Sequence, residues 1–282
     1  MIKGLTRAGI GDVGSIENFV KLASQYGFGA IDTTGTEVEP WVDKDGLENV
    51  REQLLKHEVT FGAFLLPVEW RYTEAQFQSG LVRLVKDAEL SVALGCTNWW
   101  TYVLPATDYD TARFTAVSTK RLRICAQILG AYGIRLGLEF IGPHHMRSMY
   151  KNPFLWNIPG ILEWIDAINE KNVGLLLDCF HWYTSEGTLE DLYQLNVDQV
   201  VHVHINDARH VPVKEVLDND RLFAGEGVIP VIDFLQALKR IGYNGVIAQE
   251  ILTPNPVATS PENLLSKSEM VFKNLFAAAG LE

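Results

Sequence analysis

The sequence predicts an α/β fold consisting of one (β/α)8 barrel, and three observations lead to this prediction. The chain has 282 residues, close to the roughly 250 residues of a typical barrel of this kind. Short apolar runs bounded by turn residues alternate eight times with longer segments of helical period, which is the pattern of parallel βα units. No linker or low-complexity tract interrupts the alternation, so we expect a single domain over residues 1–282.

The predicted strands share an apolar core of about five residues with turn residues on each side. They are residues 2–8, 28–32, 60–66, 96–102, 134–140, 173–179, 200–206 and 245–251. The run at 96–102 is also compatible with a buried loop. Ser15, Thr73 and Thr107 precede segments of helical period, and their side chains favour the N-cap position, so we expect a helix to begin after each of them.

Composition and charge exclude several classes of function. The 24 basic and 35 acidic residues leave a net charge of −11, which repels phosphate backbones, so we expect no nucleic-acid partner. Cys96, Cys125 and Cys179 lie far apart and indicate neither disulfides nor a CxxC metal site, so we expect them to be reduced and buried. No long apolar segment occurs, and we expect a soluble, cytoplasmic protein without a membrane partner.

Four metal-competent side chains follow apolar residues at the ends of the last four predicted strands: Glu139, Asp178, His204 and Glu250. The carboxyl ends of barrel strands converge on one rim, where active sites are built. Burial of an unpaired carboxylate costs several kcal/mol, and a shared cation would remove that cost. Three carboxylates and one imidazole suit Mn²⁺, Mg²⁺ or Co²⁺. Taken singly, each of the three acidic residues is more typical of a helix cap or a salt bridge than of a metal ligand. His204 alone, with His202 two residues away, is more typical of a structural histidine.

Four segments resemble the xylose isomerase-like superfamily of sugar isomerases and epimerases: LEF (138–140), LLDCFH (176–181), HVHIND (202–207) and AGEG (224–227). The resemblance is strongest between residues 135 and 250. It implies a single (β/α)8 TIM barrel, often assembled as a homodimer or homotetramer. It also implies a divalent metal, Mn²⁺ first and Mg²⁺, Co²⁺ or Zn²⁺ as alternatives, bound by Glu139, Asp178, His204 and Glu250.

The same resemblance assigns two residues to substrate binding. It implies that His181 holds a substrate hydroxyl beside the metal and that Arg221, before the GEG turn, binds a substrate oxygen. The structural alternatives are a histidine packed beside Trp182 and an arginine that faces solvent.

Tryptophans and a basic loop bear on the identity of the substrate. Trp100 follows Trp99 at the end of the fourth predicted strand, and Trp70 and Trp182 follow other strands. Such rings pack against the C–H faces of sugars, although they are equally typical of a core. The loop GPHHMR (142–147) adds three basic side chains that suit a sugar phosphate: His144, His145 and Arg147. This loop departs from the epimerase pattern, in which an acidic residue helps to hold the sugar.

The predicted reaction is the isomerisation or epimerisation of a ketose or keto-sugar. It removes a proton beside a carbonyl, passes through an enediolate that a divalent metal stabilises, and returns a proton. We expect Glu139 and Glu250 to exchange the proton, and Asp178 and His204 to act mainly as ligands.

Three other functions share parts of this pattern. A lyase, such as an inosose dehydratase or a C-glycoside-cleaving enzyme, begins with the same proton abstraction and is the main alternative. An abasic-site endonuclease needs an Asp-x-His pair, whereas this chain has Asp220, Arg221 and Leu222 at the corresponding position. A non-catalytic sugar-binding barrel is disfavoured because all four ligand types are present.

Overall fold

A computed structural model describes residues 1–255 and 259–281 and contains all eight predicted strands. The run near residue 100 is a strand and not a loop. The barrel strands are β1 (Ile2–Leu5), β2 (Ala30–Thr33), β3 (Thr60–Leu65), β4 (Asn98–Val103), β5 (Arg135–Phe140), β6 (Val173–Asp178), β7 (Val200–Ile205) and β8 (Val246–Gln249).

These strands form a closed, fully parallel barrel in chain order, in which β1 pairs with both β2 and β8. The predicted (β/α)8 barrel is therefore confirmed. Most strand residues are buried on both faces, as expected for parallel strands between helices and a filled interior. The register between β6 and β7 places Asp178 directly beside His204, so two candidate ligands are neighbours at the rim.

The helices surround the barrel and cover its strands. They are α1 (Ile16–Gln25), α2 (Gly35–Asp45), α3 (Leu47–His57), α4 (Glu74–Ala93), α5 (Thr111–Ala131), α6 (His144–Arg147), α7 (Ile158–Ile168), α8 (Cys179–Thr184), α9 (Leu189–Tyr193), α10 (Val231–Arg240) and α11 (Pro261–Ala279). Two short antiparallel ladders lie in the loops, Ala106–Thr107 with Asn152–Pro153 and Asp207–Ala208 with Arg221–Leu222. Among the described residues, no helix combines the length and apolarity that a bilayer crossing requires.

Two of the three predicted helix starts are confirmed. Ser15 and Thr73 are N-caps whose side chains accept hydrogen bonds from backbone N–H groups of the first turn. The prediction for Thr107 is wrong, because its segment joins a two-residue ladder and its hydroxyl accepts the N–H of Tyr109. Asp110 caps α5 instead.

The three cysteines are free and buried, as predicted.

Candidate metal centre

The rim of the barrel brings the four predicted ligands together. One donor atom from each of Glu139, Asp178, His204 and Glu250 lies within 4.8 Å of all the others. Glu139, Asp178 and His204 are 3%, 1% and 0% exposed, and the Glu250 side chain is 12% exposed. Each comes from the carboxyl end of a different strand, which explains how residues more than one hundred positions apart converge. Their role as ligands remains a prediction.

Two buried polar atoms at the centre have no hydrogen-bond partner among the described residues, and both are suitable metal donors. They are Glu139 Oε1 and His204 Nδ1, which lie 3.5 Å apart, while His204 Nδ1 lies 3.7 Å from Glu250 Oε2. Buried polar atoms without partners are costly, and coordination of a cation satisfies them. The donor set therefore fits a divalent ion that prefers oxygen and imidazole ligands.

Asp178 is held in place by its own helix and by a neighbouring strand. Its Oδ1 accepts hydrogen bonds from the backbone N–H of Phe180 at 2.7 Å and from Asn206 Nδ2 at 3.1 Å. Asn206 is not among the predicted site residues. Its position two residues after His204 indicates a place at the site, because residues two apart in an extended segment point to the same side.

Arg221 lies inside the site, so the solvent-facing alternative is wrong. Its Nη1 is 2.9 Å from both Asp178 Oδ2 and Glu250 Oε2, and its Nη2 is 2.8 Å from Asp218 Oδ1. Burial disfavours the charged guanidinium, but these three carboxylates outweigh burial and raise the pKa of Arg221. Its predicted contact with a substrate oxygen remains untested.

His181 is fully buried, and a nitrogen donor approaches each of its ring nitrogens. The backbone nitrogen of Gly142 lies 3.3 Å from Nδ1, and Arg221 Nη2 lies 3.4 Å from Nε2. Burial lowers the pKa of the imidazole. Nε2 also lies 4.0 Å from Glu139 Oε1 and 4.0 Å from Asp178 Oδ2, so this nitrogen faces the centre.

The two glutamates have pKa values displaced in opposite directions. Burial, helped by the charge of Glu250, raises the pKa of Glu139 to about 8 despite the opposing effect of His204. Burial also disfavours ionisation of Glu250, but His204 and Arg221 outweigh it and hold the pKa of Glu250 well below its usual range. One carboxyl group is therefore protonated and the other ionised over the same pH range in the metal-free protein.

Only one of the four predicted tryptophans contacts the candidate ligands. The ring of Trp100 stands edge-on to the ring of His204 with centroids 5.3 Å apart, and its buried indole Nε1 has no hydrogen-bond partner in the described part of the chain. Trp70, Trp99 and Trp182 are packed in the core. The strand alternates its side chains between the barrel interior and the helix layer, which separates Trp100 from Trp99.

The basic loop after β5 is held by contacts within the protein. Arg147 donates to the carbonyl of Gly142 from Nε at 2.9 Å and to that of Thr184 from Nη2 at 2.8 Å. This use of the guanidinium argues against the predicted phosphate contact. His145 is partly buried in the short helix α6, and within the described residues its ring forms no hydrogen bond to a candidate ligand.

Asp32, the last residue of the predicted strand 28–32, contacts a candidate ligand although it is not among the predicted site residues. Its Oδ2 lies 2.8 Å from His202 Nε2 and 3.0 Å from His204 Nε2. The signal was present, because Asp32 is a further acidic residue after an apolar strand run.

Comparison with known proteins identifies the family. A family model described as the xylose isomerase-like TIM barrel matches residues 20–274. The chain belongs to this family. In agreement, a solved xylose isomerase domain protein from Alicyclobacillus acidocaldarius subsp. acidocaldarius is 30% identical, with a TM-score of 0.92 over 99% of each chain.

Two curated relatives are named as enzymes. An inosose isomerase from Halalkalibacterium halodurans is 28% identical over 145 residues, which cover 51% of this chain and 49% of the relative. A D-psicose 3-epimerase from Enterocloster bolteae is 24% identical over 135 residues, which cover 48% of this chain and 39% of the relative. The matched part thus spans half or less of the length of these relatives.

Proposed function

We propose that this chain is a divalent-metal-dependent enzyme that isomerises or epimerises a ketose or keto-polyol, with Glu139 and Glu250 as the proton-transfer pair. The observation that carries the proposal is geometric: donor atoms of Glu139 and Glu250 lie within 4.8 Å of each other and of donor atoms of Asp178 and His204 at the barrel rim. Two carboxyl groups at one site can divide the roles of base and acid.

The positions of the two glutamates suit transfer of a proton to the opposite face of a carbon. Glu139 lies in β5 and Glu250 directly follows β8, and two strands separate them around the barrel. A small sugar bound between them has one carboxyl group on each face. One of the two carboxylates removes the proton from the carbon beside the carbonyl, and the carboxyl group on the other side delivers a proton to the opposite face.

Glu139, Asp178, His204 and Glu250 are the residues that would hold the cation, for which Mn²⁺ is our first choice and Mg²⁺, Co²⁺ or Zn²⁺ the alternatives. When bound, a divalent cation supplies Lewis acidity that makes the C–H beside a carbonyl easier to deprotonate.

The other side chains of the site orient the substrate. His181 forms a hydrogen bond to a substrate hydroxyl through Nε2, and the guanidinium of Arg221 donates to a second oxygen. Trp100 offers a flat apolar surface to the C–H face of the ring.

Elimination of water is the second candidate reaction, and His181 favours it. The same base removes the proton, a carbon–carbon double bond forms, and the carbon–oxygen bond of a neighbouring hydroxyl breaks. The leaving hydroxyl takes a proton and departs as water. His181 Nε2 lies 4.0 Å from Glu139 Oε1, which places the imidazole within reach of the leaving hydroxyl.

The test is solvent-deuterium exchange into D-fructose and into an inosose by the metal-loaded protein. Epimerisation or isomerisation yields a deuterated product of otherwise unchanged composition, whereas elimination yields a product lighter by one water. We expect Glu139→Gln and Glu250→Gln each to lower the rate by about 10²- to 10⁴-fold with metal still bound. If both variants retain near-normal turnover with metal bound, the proposed proton-transfer pair is wrong.

Glu186→Gln is the matched control, because Glu186 is an exposed carboxylate whose one ion pair among the described residues is with His144. It should leave the exchange rate unchanged.

A further inference from the structure

The two ring nitrogens of His204 face different partners. Nδ1 points to the candidate centre, 3.5 Å from Glu139 Oε1 and 3.7 Å from Glu250 Oε2. Nε2 points in the other direction and lies 3.0 Å from Asp32 Oδ2. An ionised carboxylate can only accept hydrogen bonds, so Asp32 selects the ring form that carries a proton on Nε2.

The Asp32 carboxylate is closely surrounded by other groups of the barrel interior. The residue is 7% exposed, and a Cβ atom at Gly62 on the neighbouring strand would come within 2.7 Å of Asp32 Oδ1. A side chain at position 62 would therefore displace the carboxylate. Its Oδ2 also accepts a hydrogen bond from His202 Nε2 at 2.8 Å, so two imidazole donors compensate the burial of one charge.

Asp32, His202 and His204 are close enough to raise the question of a second metal site. The distances argue against it. Two ligand atoms about 2.0 to 2.2 Å from a tetrahedral ion lie roughly 3.3 to 3.6 Å apart, whereas the Asp32 oxygen is 2.8 and 3.0 Å from the two Nε2 atoms. These are hydrogen-bond distances, and they connect Asp32 to the centre through His204.

We infer that Asp32 is a positioning residue of the metal centre. By accepting a hydrogen bond from the Nε2–H of His204, it fixes the ring orientation, so that Nδ1 of the neutral ring would be the nitrogen that binds the cation together with the other three ligands. This inference rests on the proposed function, since it concerns the same metal centre. Supporting carboxylates of this kind typically contribute a factor of 10 to 100 in metal affinity.

The experiment compares zinc affinity, measured by competition with a chelator, between the unsubstituted protein and Asp32→Ala. We expect about 10- to 100-fold weaker binding in the variant. Gly62→Ala, which keeps the charge and displaces the carboxylate, should change the affinity in the same direction. Asp87→Ala is the matched control, because Asp87 is also buried but pairs with Arg83 on α4. The zinc affinity of this variant should equal that of the unsubstituted protein.

A second measurement uses only the unsubstituted protein and therefore does not depend on whether a variant folds. In the zinc-loaded protein, long-range ¹H–¹⁵N spectra should show the His204 proton on Nε2. A proton on Nδ1 overturns the inference, and so does equal zinc affinity of the unsubstituted and Asp32→Ala proteins. If the unsubstituted protein binds no zinc, manganese, cobalt or magnesium, the proposed function fails as well.

Discussion

Replacement of Arg221 by methionine tests how far the buried charges of the centre depend on one another. Arg221 is 3% exposed, and its guanidinium contacts Asp178, Glu250 and Asp218 at 2.8 to 2.9 Å. Methionine keeps an unbranched apolar side chain but leaves the three carboxylates without this cation. Removal of one partner from a buried ion pair costs about 3 to 5 kcal/mol, so we expect that loss in the unfolding free energy of the metal-free protein.

The assay is urea and thermal unfolding after treatment with a chelator. At about 2 to 4 °C per kcal/mol for a chain of this size, the melting temperature should fall by roughly 6 to 20 °C. The control is Arg209→Met in the same loop region, where an exposed guanidinium pairs with Asp220 and the expected loss is below about 1 kcal/mol. Equal losses in the two variants would refute the reasoning.

The effect of Arg221 should also depend on pH. The folded protein holds the pKa of Glu250 below its usual range, partly through Arg221. This stabilisation is present above the unfolded pKa of about 4.3 and is lost as the pH falls towards the folded value. The difference in unfolding free energy between Arg221→Met and the unsubstituted protein should therefore be largest above about pH 5 and should decrease in acid.

Three further predictions concern other residues. Because burial raises the pKa of Glu139 to about 8, the stability of the metal-free protein should fall between about pH 5 and pH 8, and Glu139→Gln should reduce that fall in urea unfolding. Asp207→Asn should cost about 2 to 6 kcal/mol in the free energy of unfolding, because backbone N–H groups donate to both carboxylate oxygens of Asp207 at 2.8 to 2.9 Å; the comparison is Asp220→Asn, at a partly exposed carboxylate that pairs with Arg209. Arg147→Met should lower the melting temperature without changing the ratio of kcat/KM between neutral and phosphorylated substrates; a selective loss for the phosphorylated substrate would contradict its structural role.

Local patterns were sufficient for the strands and for most helix starts, because a strand's apolar run and an N-cap's side chain act within a few residues. Thr107 shows the limit of this reasoning. Thr107 and Asp110 are both favourable N-caps, and the choice between them depends on a ladder with Asn152–Pro153. That contact joins segments more than forty residues apart in the chain, so the residues next to Thr107 do not indicate it.

The tryptophans show the same limit at the level of one residue. Trp99 and Trp100 are adjacent in β4, and opposite faces of a strand differ by one position. Composition alone leaves both available to a substrate, whereas the strand orientation places only Trp100 against His204.

The sequence by itself determined the barrel and the four residues that meet at its rim, because parallel strands bring their carboxyl ends together whatever their detailed packing. The tertiary structure decided how these residues are used. It placed Arg221 between two of the carboxylates and displaced the pKa values of Glu139 and Glu250 in opposite directions. It also brought Asp32 into contact with His204, which lies 172 positions away in the sequence. Burial and charge depend on every neighbour in space, and a linear pattern does not contain those neighbours.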